Sequence, residues 1–247
     1  MAECYVVIVA AGKGSRFGSQ MPKQFLNLEG RPVLAHTIDA FRRALPQSRI
    51  IVVLSAEMRS YWAEEAERYG VSQHETVIGG ATRWESVKNA LLCIHDADAD
   101  ALVLVHDGAR PLVDRATILA AADGARKADG AIPAIAVSDS LREISSATDS
   151  DRAFITSRSV DRARYRAMQT PQAFALARLL EAYRRPWSPT FTDDASVMEA
   201  AGFTNLALTP GSPENIKITN PQDLAVATAI LRMRNTHTTE NQKDKEG

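Results

Sequence analysis

Residues 5–18 read YVVIVAAGKGSRFG. Tyr5–Ala10 is a continuous apolar run, the pattern of a strand covered on both faces. It passes directly into Gly12, Gly14 and Gly18, and glycines at such a turn let backbone N–H groups approach an anion closely. The rest of the chain repeats this alternation of apolar runs and amphipathic stretches. Ile50–Leu54, Thr76–Ile78, Ala101–Val105 and Ala131–Val137 read as further strands. Between them, Pro32–Ala44 sets Val33, Ile38 and Phe41 on a similar helical face. Thr82–Ile94 carries Trp84, Val87, Leu91 and Ile94 at helical spacing behind a Thr82/Glu85 capping box. Asp114 is placed to cap a helix over Thr117–Lys127, and Asn220-Pro221 opens a last helix that runs through Arg234.

Strands alternating with helices predict an α/β sandwich around a mainly parallel sheet, with helices covering both faces. No internal repeat or flexible linker divides residues 1–234, which read as one domain. One segment departs from the pattern. Ser140–Ile144 and Ala153–Arg158 predict two strands joined by the polar stretch Ser145–Arg152, a hairpin arm within residues 138–162 that projects from the body. Residues 235–247 are polar, lack an apolar anchor and are expected to be disordered.

The chain has 247 residues and a formal net charge of −1, so it lacks the basic excess of a general nucleic-acid binder. Two cysteines, Cys4 and Cys93, cannot form a disulfide framework or a four-cysteine zinc site. They are expected to be buried thiols. The five histidines show no metal-binding spacing. No apolar run approaches the roughly 20 residues that span a bilayer, and no basic segment precedes the first apolar stretch as in a signal peptide. These features predict a soluble, cytoplasmic protein without a membrane partner.

The glycine loop fails two named patterns. A Walker A needs a glycine at position 7, where Val7 stands, and a serine or threonine after its lysine, where Gly14 stands. A dinucleotide loop needs G-x-G-x-x-G, but the third glycine is Gly18, one residue late, and no acidic ribose ligand follows about 20 residues on. What remains is G-x-G-x-R followed by Pro22-Lys23. Between Glu3 and Glu29 stand Lys13, Arg16 and Lys23 with no acid. A charge run is commonly a solvated face. Next to a glycine turn, however, a guanidinium fork and an ammonium suit a polyphosphate.

The stretch AAGKGSRFGSQMPKQFLNLEGRPVL (Ala10–Leu34) resembles the nucleotide-binding signature of sugar-phosphate nucleotidyltransferases. VLVHDGARP (Val103–Pro111), SVDR (Ser159–Arg162), QTPQAF (Gln169–Phe174), FTDDAS (Phe191–Ser196) and ENIKIT (Glu214–Thr219) follow in the order of one branch. On these six blocks the chain is similar to the 2-C-methyl-D-erythritol 4-phosphate cytidylyltransferase family, over about Tyr5 to Arg234. The resemblance implies a Rossmann-like three-layer α/β sandwich with a mainly parallel twisted sheet and a protruding β-hairpin arm. It also implies transfer of CMP from CTP to a polyol phosphate with release of pyrophosphate. Such chemistry depends on positioning and cations more than on an acid–base pair.

The resemblance assigns catalysis to Arg16, Lys23 and Lys217, the last on a short strand that on composition alone reads as an exposed lysine. It implies nucleotide contacts at Ala10, Ala11, Gly12, Gly14, Gly80, Ala81, Ser86 and Gly108. At position 81 an alanine leaves only the backbone to make them. Arg83 and Glu85 read as surface groups at a helix end. Asp107, Arg110, Ser140, Arg162, Thr170 and Thr192 are the implied substrate-binding set, although HDGARP alone reads as a turn and Thr192 as a helix cap. In the family the arm embraces a second subunit, so Arg162 would serve the neighbour's site in a homodimer. Mg2+ or another divalent cation is implied, held mainly by the CTP phosphates, with Asp107 the candidate protein ligand. A ribitol-5-phosphate cytidylyltransferase and a catalytically silent nucleotide-binding module are the alternative readings.

Overall fold

The computed structural model describes residues 3–12, 21–95, 97–144 and 156–246, with side chains through Thr236. Gly14 and Arg16 lie outside the described residues, as does the connection expected between the two strands of the arm. In chain order the elements are β1 (Cys4–Val9), β2 (Asn27–Leu28), β3 (Arg31–Pro32), α1 (Val33–Ala44), β4 (Arg49–Leu54), α2 (Arg59–Arg68), β5 (Glu75–Ile78), α3 (Arg83–Leu91), β6 (Leu102–Asp107), α4 (Arg115–Ala125) and β7 (Gly130–Ala136). There follow β8 (Arg142–Ile144), β9 (Ser157–Ser159), β10 (Arg166–Met168), β11 (Gln172–Ala175), α5 (Leu176–Ala182), α6 (Asp194–Ala200), β12 (Leu206–Pro210) and α7 (Pro221–Glu246).

The main sheet runs β5-β4-β1-β6-β11-β7, with β12 on the far edge of β7. Strands β1, β4, β5 and β6 are mutually parallel, and β12 is parallel to β7. β11 lies antiparallel between β6 and β7, and β10 continues along the same edge of β7. The unbroken apolar runs follow from this arrangement. Along β1, Val6 and Ile8 enter one core while Tyr5 and Val7 enter another; on β6, Leu102 and Leu104 face the first, Val103 and Val105 the second. The first core is closed by Leu34, Ile38 and Phe41 of α1, Trp62 of α2 and Ile118 of α4. The second is closed by Val87 and Leu91 of α3, Leu179 of α5 and Met198 of α6. A smaller cluster seats α7 through Ala227 against Leu28, Val33, Leu112 and Ile218.

Local signals were reliable guides. Thr82 and Glu85 form the expected reciprocal cap on α3, Asp114 accepts from the Thr117 amide, and Asn220 accepts from the Asp223 amide at the start of α7. Other expectations need correction. The hairpin's described part is the antiparallel pair β8–β9: the first strand starts two residues later than expected and the second runs to Ser159, while residues 153–155 of the expected second strand lie outside the described residues. The helix over 83–91 stops before Ile94. α7 does not stop at Arg234: its backbone stays helical to Glu246, across the tail expected to be disordered. This polar stretch is rich in Glu, Gln and Lys, which form helix readily without an apolar face. Cys4 is half-buried, but Cys93 is exposed rather than buried. Strands β10 to β12 and helices α2 and α5 carried no strong pattern and were not anticipated; a helix start was expected at Thr192, and α6 begins at Asp194 with Asp193 as its cap.

The insertion of β11 can be tested at its buried ring. Phe174 is fully buried in the second core. Phe174→Ala is expected to lower the free energy of unfolding by about 3–5 kcal/mol, read from urea denaturation. A loss under about 1 kcal/mol, the scale of an ordinary surface change, would contradict this packing.

Candidate active site at the carboxyl ends of the central strands

Parallel strands leave a crevice at their carboxyl ends where loops diverge. Here β1, β4, β5 and β6 open into a cleft of about 720 Å³. Its floor is the turn after β1. The Ala10 amide donates to the Val53 carbonyl at 2.8 Å, and the Gly108 amide donates to the Val9 carbonyl at 2.9 Å. Gln24, buried in the turn Lys23–Phe25, donates its side-chain amide to the carbonyls of Ala10 and Gly12. That residue pins the start of the glycine loop and brings its neighbour Lys23 to the cleft wall. Gly108 approaches the loop closely: a β-carbon there would stand 3.0 Å from the Ala10 β-carbon and 3.1 Å from the Val9 carbonyl oxygen.

The second wall is the turn from β5 into α3. The Gly80 amide donates to Ser86 Oγ at 3.2 Å, and that hydroxyl donates to the Thr82 carbonyl at 2.9 Å. A β-carbon at Gly80 would collide with Glu85 at 2.3 Å, so the position is closed to larger residues while the capping box stands. Ala81 offers the cleft its backbone and a methyl group only.

Asp107 ends β6 and is the electrostatic centre. Its carboxylate lies 2.9 Å from Lys217 Nζ, 3.3 Å from Arg110 Nε and 3.9 Å from Arg83 Nε. Burial alone would raise its pKa; Lys217, Arg83 and Arg110 overcome that and hold the carboxyl well below the usual range. Arg110 also donates to the Asn215 carbonyl at 2.7 Å, and the Ile218 amide donates to the Ala109 carbonyl at 2.9 Å. These bonds lay segment 215–219 beside the end of β6. The segment is extended but forms no strand of the sheet, contrary to expectation for Lys217. Arg83 is not the surface group expected either. It lines the cleft, and its Nη2 lies 2.7 Å from Oδ2 of Asp194, which is fully buried.

Beneath Asp107, His106 is buried. Its Nε2 faces the Arg110 carbonyl at 3.2 Å and its Nδ1 faces Thr170 Oγ1 at 3.0 Å. A carbonyl only accepts, so Nε2 carries the proton and the Thr170 hydroxyl donates to Nδ1. The same hydroxyl accepts from the Asp107 amide at 3.1 Å. Thr170 is buried and its hydroxyl is engaged in this chain of bonds, so it supports Asp107 from below and does not line the cleft.

Of the residues expected at the site, Ala10, Ala11, Gly12, Lys23, Gly80, Ala81, Ser86, Asp107 and Lys217 line one cleft. Gly108 and Arg110 brace it from the turn after β6. Ser140, Arg162 and Thr192 do not line it. Ser140 and Arg162 are exposed on or beside the arm, where Arg162 donates to the Ser138 carbonyl. Thr192 is also exposed, and the cap of α6 is its neighbour Asp193, which forms a capping box with Ser196. Sequence reasoning missed Gln24, Arg83 and Asp194. Each nevertheless stood inside a stretch already singled out: Gln24 in Ala10–Leu34, Arg83 in Thr82–Ile94 and Asp194 in FTDDAS.

A mainly parallel sheet whose strand ends converge lysines, a glycine turn and a polar helix start on one cleft suits a ligand that carries several phosphates. The profile of the family 2-C-methyl-D-erythritol 4-phosphate cytidylyltransferase matches residues 4–233. Proteins of that name from Azobacteroides pseudotrichonymphae and Porphyromonas gingivalis are 42% and 44% identical to the chain. The first match spans 94% of this chain and 100% of the relative, the second 92% and 97%. A crystal structure of 4-diphosphocytidyl-2C-methyl-D-erythritol synthase from Anaerococcus prevotii superposes with a TM-score of 0.77 at 26% identity, covering 94% of this chain and 96% of that one. The chain belongs to the 2-C-methyl-D-erythritol 4-phosphate cytidylyltransferase family.

The buried imidazole makes the site sensitive to acid. Burial lowers His106 from 6.5 to about 4. Between those values the unfolded chain binds a proton that the folded chain refuses. Stability is therefore intact above pH 6.5 and falls as the pH drops to 4, by up to about 1.4 kcal/mol per pH unit. His36 and His74 are also lowered by burial, so the informative quantity is a difference between proteins. His106→Gln should flatten the acid slope of the denaturation midpoint in that window. Equal slopes in variant and wild type would mean that His106 does not titrate there.

Proposed function

We propose that this protein transfers CMP from CTP to 2-C-methyl-D-erythritol 4-phosphate, forming 4-diphosphocytidyl-2-C-methyl-D-erythritol and pyrophosphate in the non-mevalonate route to isoprenoids. The observation that carries the reading is the convergence of Lys23, Lys217, the Ala10–Gly12 turn and the Gly80–Ser86 turn on one cleft. An oxygen of the acceptor's phosphate attacks the α-phosphorus of CTP, and the bond from that phosphorus to the bridging oxygen of pyrophosphate breaks. The acceptor phosphate is largely ionised at neutral pH, so no general base is required. The task is to bring together two anions and neutralise the charge that builds on the α-phosphoryl oxygens. Lys23 and Lys217 supply cations to the cleft, with Arg16 expected to add a third. The helix start at Gly80–Ser86 suits a base edge or ribose hydroxyl, and Asp107 can accept from substrate hydroxyls.

A divalent cation belongs to this reading. Among the described residues no group of three His, Cys, Asp or Glu side chains could cage a metal, while Asp107 stands at the cleft. One carboxylate together with substrate phosphates is the setting in which Mg2+ commonly binds. When bound, the ion would neutralise phosphate charge; Asp107 is the residue that would reach it. Among the described residues no helix is long and apolar enough to cross a membrane. The reading includes a cytoplasmic location and no nucleic-acid partner, supported by the balanced charge.

The polyol is assigned to a composite site. β8–β9 exposes Ile144, and the nearby residues Tyr165 and Met168 are exposed as well. An arm of this kind in a homodimer would cover that apolar surface and carry Arg162 and Ser140 to the partner's cleft. The expected mass in light scattering is that of a dimer. Mixing Arg162→Ala with Lys217→Ala protein should restore up to about a quarter of wild-type turnover through heterodimers with one intact site. A monomer, or mixtures that stay inactive after subunit exchange is shown, would overturn the composite site.

The decisive assay is pyrophosphate release from CTP with methylerythritol phosphate or ribitol phosphate as acceptor. Turnover is expected with the first, and Lys217→Ala should lower kcat by about 100-fold or more while remaining folded. Preference for ribitol phosphate would reassign the acceptor. CTP binding without turnover on either would favour a silent binding module.

A further inference from the structure

Arg83 stands where a helix least favours it. It is the first residue of α3, at the positive end of the helix dipole, where acids rather than bases are stabilised. Two carboxylates hold it there. Asp194 at 2.7 Å is fully buried, and Asp107 at 3.9 Å is the centre of the cleft. Asp194 is itself fixed, since the buried Tyr183 hydroxyl donates to its other oxygen at 2.6 Å. Tyr183 in turn stacks on Trp84, the residue after Arg83, with ring centroids 5.6 Å apart. The guanidinium is thus anchored by Asp194 of α6, itself held by Tyr183 just after α5, while its Nε stands 3.9 Å from Asp107.

Lys217 is paired with Asp107 at 2.9 Å, yet transfer asks the same ammonium to meet phosphate oxygens. When it turns to the phosphates, Asp107 loses its nearest cation. Arg110, tied to the Asn215 carbonyl, and Arg83, tied to Asp194, stay in place. Resting on the reaction proposed above, we infer that Arg83 is a positioning residue that holds Asp107 while Lys217 changes partners, with Asp194 and Tyr183 as its mount. Nothing in the cleft requires Arg83 to touch CTP for this role. A guanidinium is suited to it because one planar group can address two carboxylates, which an ammonium does poorly.

Arg83→Gln alone leaves Asp194 buried and uncompensated, a change that destabilises the fold itself. The test therefore uses the double variant Arg83→Gln/Asp194→Asn, which removes both charges and keeps two amides able to bond to each other, beside wild type, Asp194→Asn and Arg83→Lys. Thermal midpoint, kcat and KM for CTP are measured for each with the pyrophosphate-release assay. The double variant is expected to melt near wild type while kcat falls about 10- to 100-fold and KM for CTP stays within about threefold. Arg83→Lys should give an intermediate kcat. A double variant with wild-type kcat would show that the pair only stabilises the fold and would overturn the inference. So would a loss confined to KM for CTP, which would make Arg83 a direct nucleotide ligand. If wild type releases no pyrophosphate from CTP, the proposed reaction falls and this role with it; an active wild type with an equally active double variant removes this role alone.

Discussion

The carboxylate of Asp107 imposes the constraint around which the site is built. It is 13% exposed, at the end of a central strand, and three cations from separate parts of the chain surround it. A charge buried this far must be paired, and removing one partner of a buried pair commonly costs about 3–5 kcal/mol. Meeting that requirement draws α3, the turn after β6 and segment 215–219 to one point. Arg110 and Lys217 could not both reach Asp107 unless the chain between β12 and α7 lay across the end of β6. The Arg110 bond to the Asn215 carbonyl fixes that crossing.

The sheet divides the work. Its parallel half, β5-β4-β1-β6, supplies the turns that line the cleft. The half beyond β6 supports it: β11 follows the Gln169–Thr170 corner, whose hydroxyl and side chains bond the end of β6 and Asn215. The arm β8–β9 is inserted between β7 and β10, strands that pair with each other. The arm therefore starts and ends on paired strands, and its exposed Ile144 is not among the residues that line the cleft.

Much of the fold was legible because burial on both faces leaves a simple trace. Val6 and Ile8 serve one core and Tyr5 and Val7 the other, so β1 reads as an unbroken apolar run; the same holds for β4 and β6. Contacts within one turn of helix were equally readable, as at Thr82 and Glu85 or Asp114 and Thr117. β10 and β12 left no such trace, because Arg166–Met168 is exposed and Leu206–Pro210 is a half-exposed edge. At the site, the glycine loop and Lys23 announced themselves by local composition. Lys217 did not, and only the ENIKIT block singled it out. Arg83 was misread because its decisive partner, Asp194, lies 111 residues away, and no local pattern encodes that pair. Thr170 was expected to bind substrate, but its hydroxyl faces His106 and the Asp107 amide inside the protein.

Three cations around one carboxylate exceed what neutralising Asp107 alone requires. The surplus makes sense if one of them is on loan. Lys217 is the most exposed of the three, at 39% against 29% for Arg83 and 12% for Arg110. Among the described residues its only ion pair is with Asp107, whereas Arg83 is also bound to Asp194 and Arg110 to Asn215. An ammonium on a flexible stem exchanges partners at lower cost than a guanidinium locked by two sets of bonds. In the resting protein the pair with Asp107 holds Lys217 in place at the cleft. Incoming phosphates, with more negative charge than one carboxylate, can compete for it, while the two anchored arginines keep Asp107 compensated. In the proposed transfer the arrangement would keep a cation beside the site without committing it, which suits a reaction that must bring two anions together.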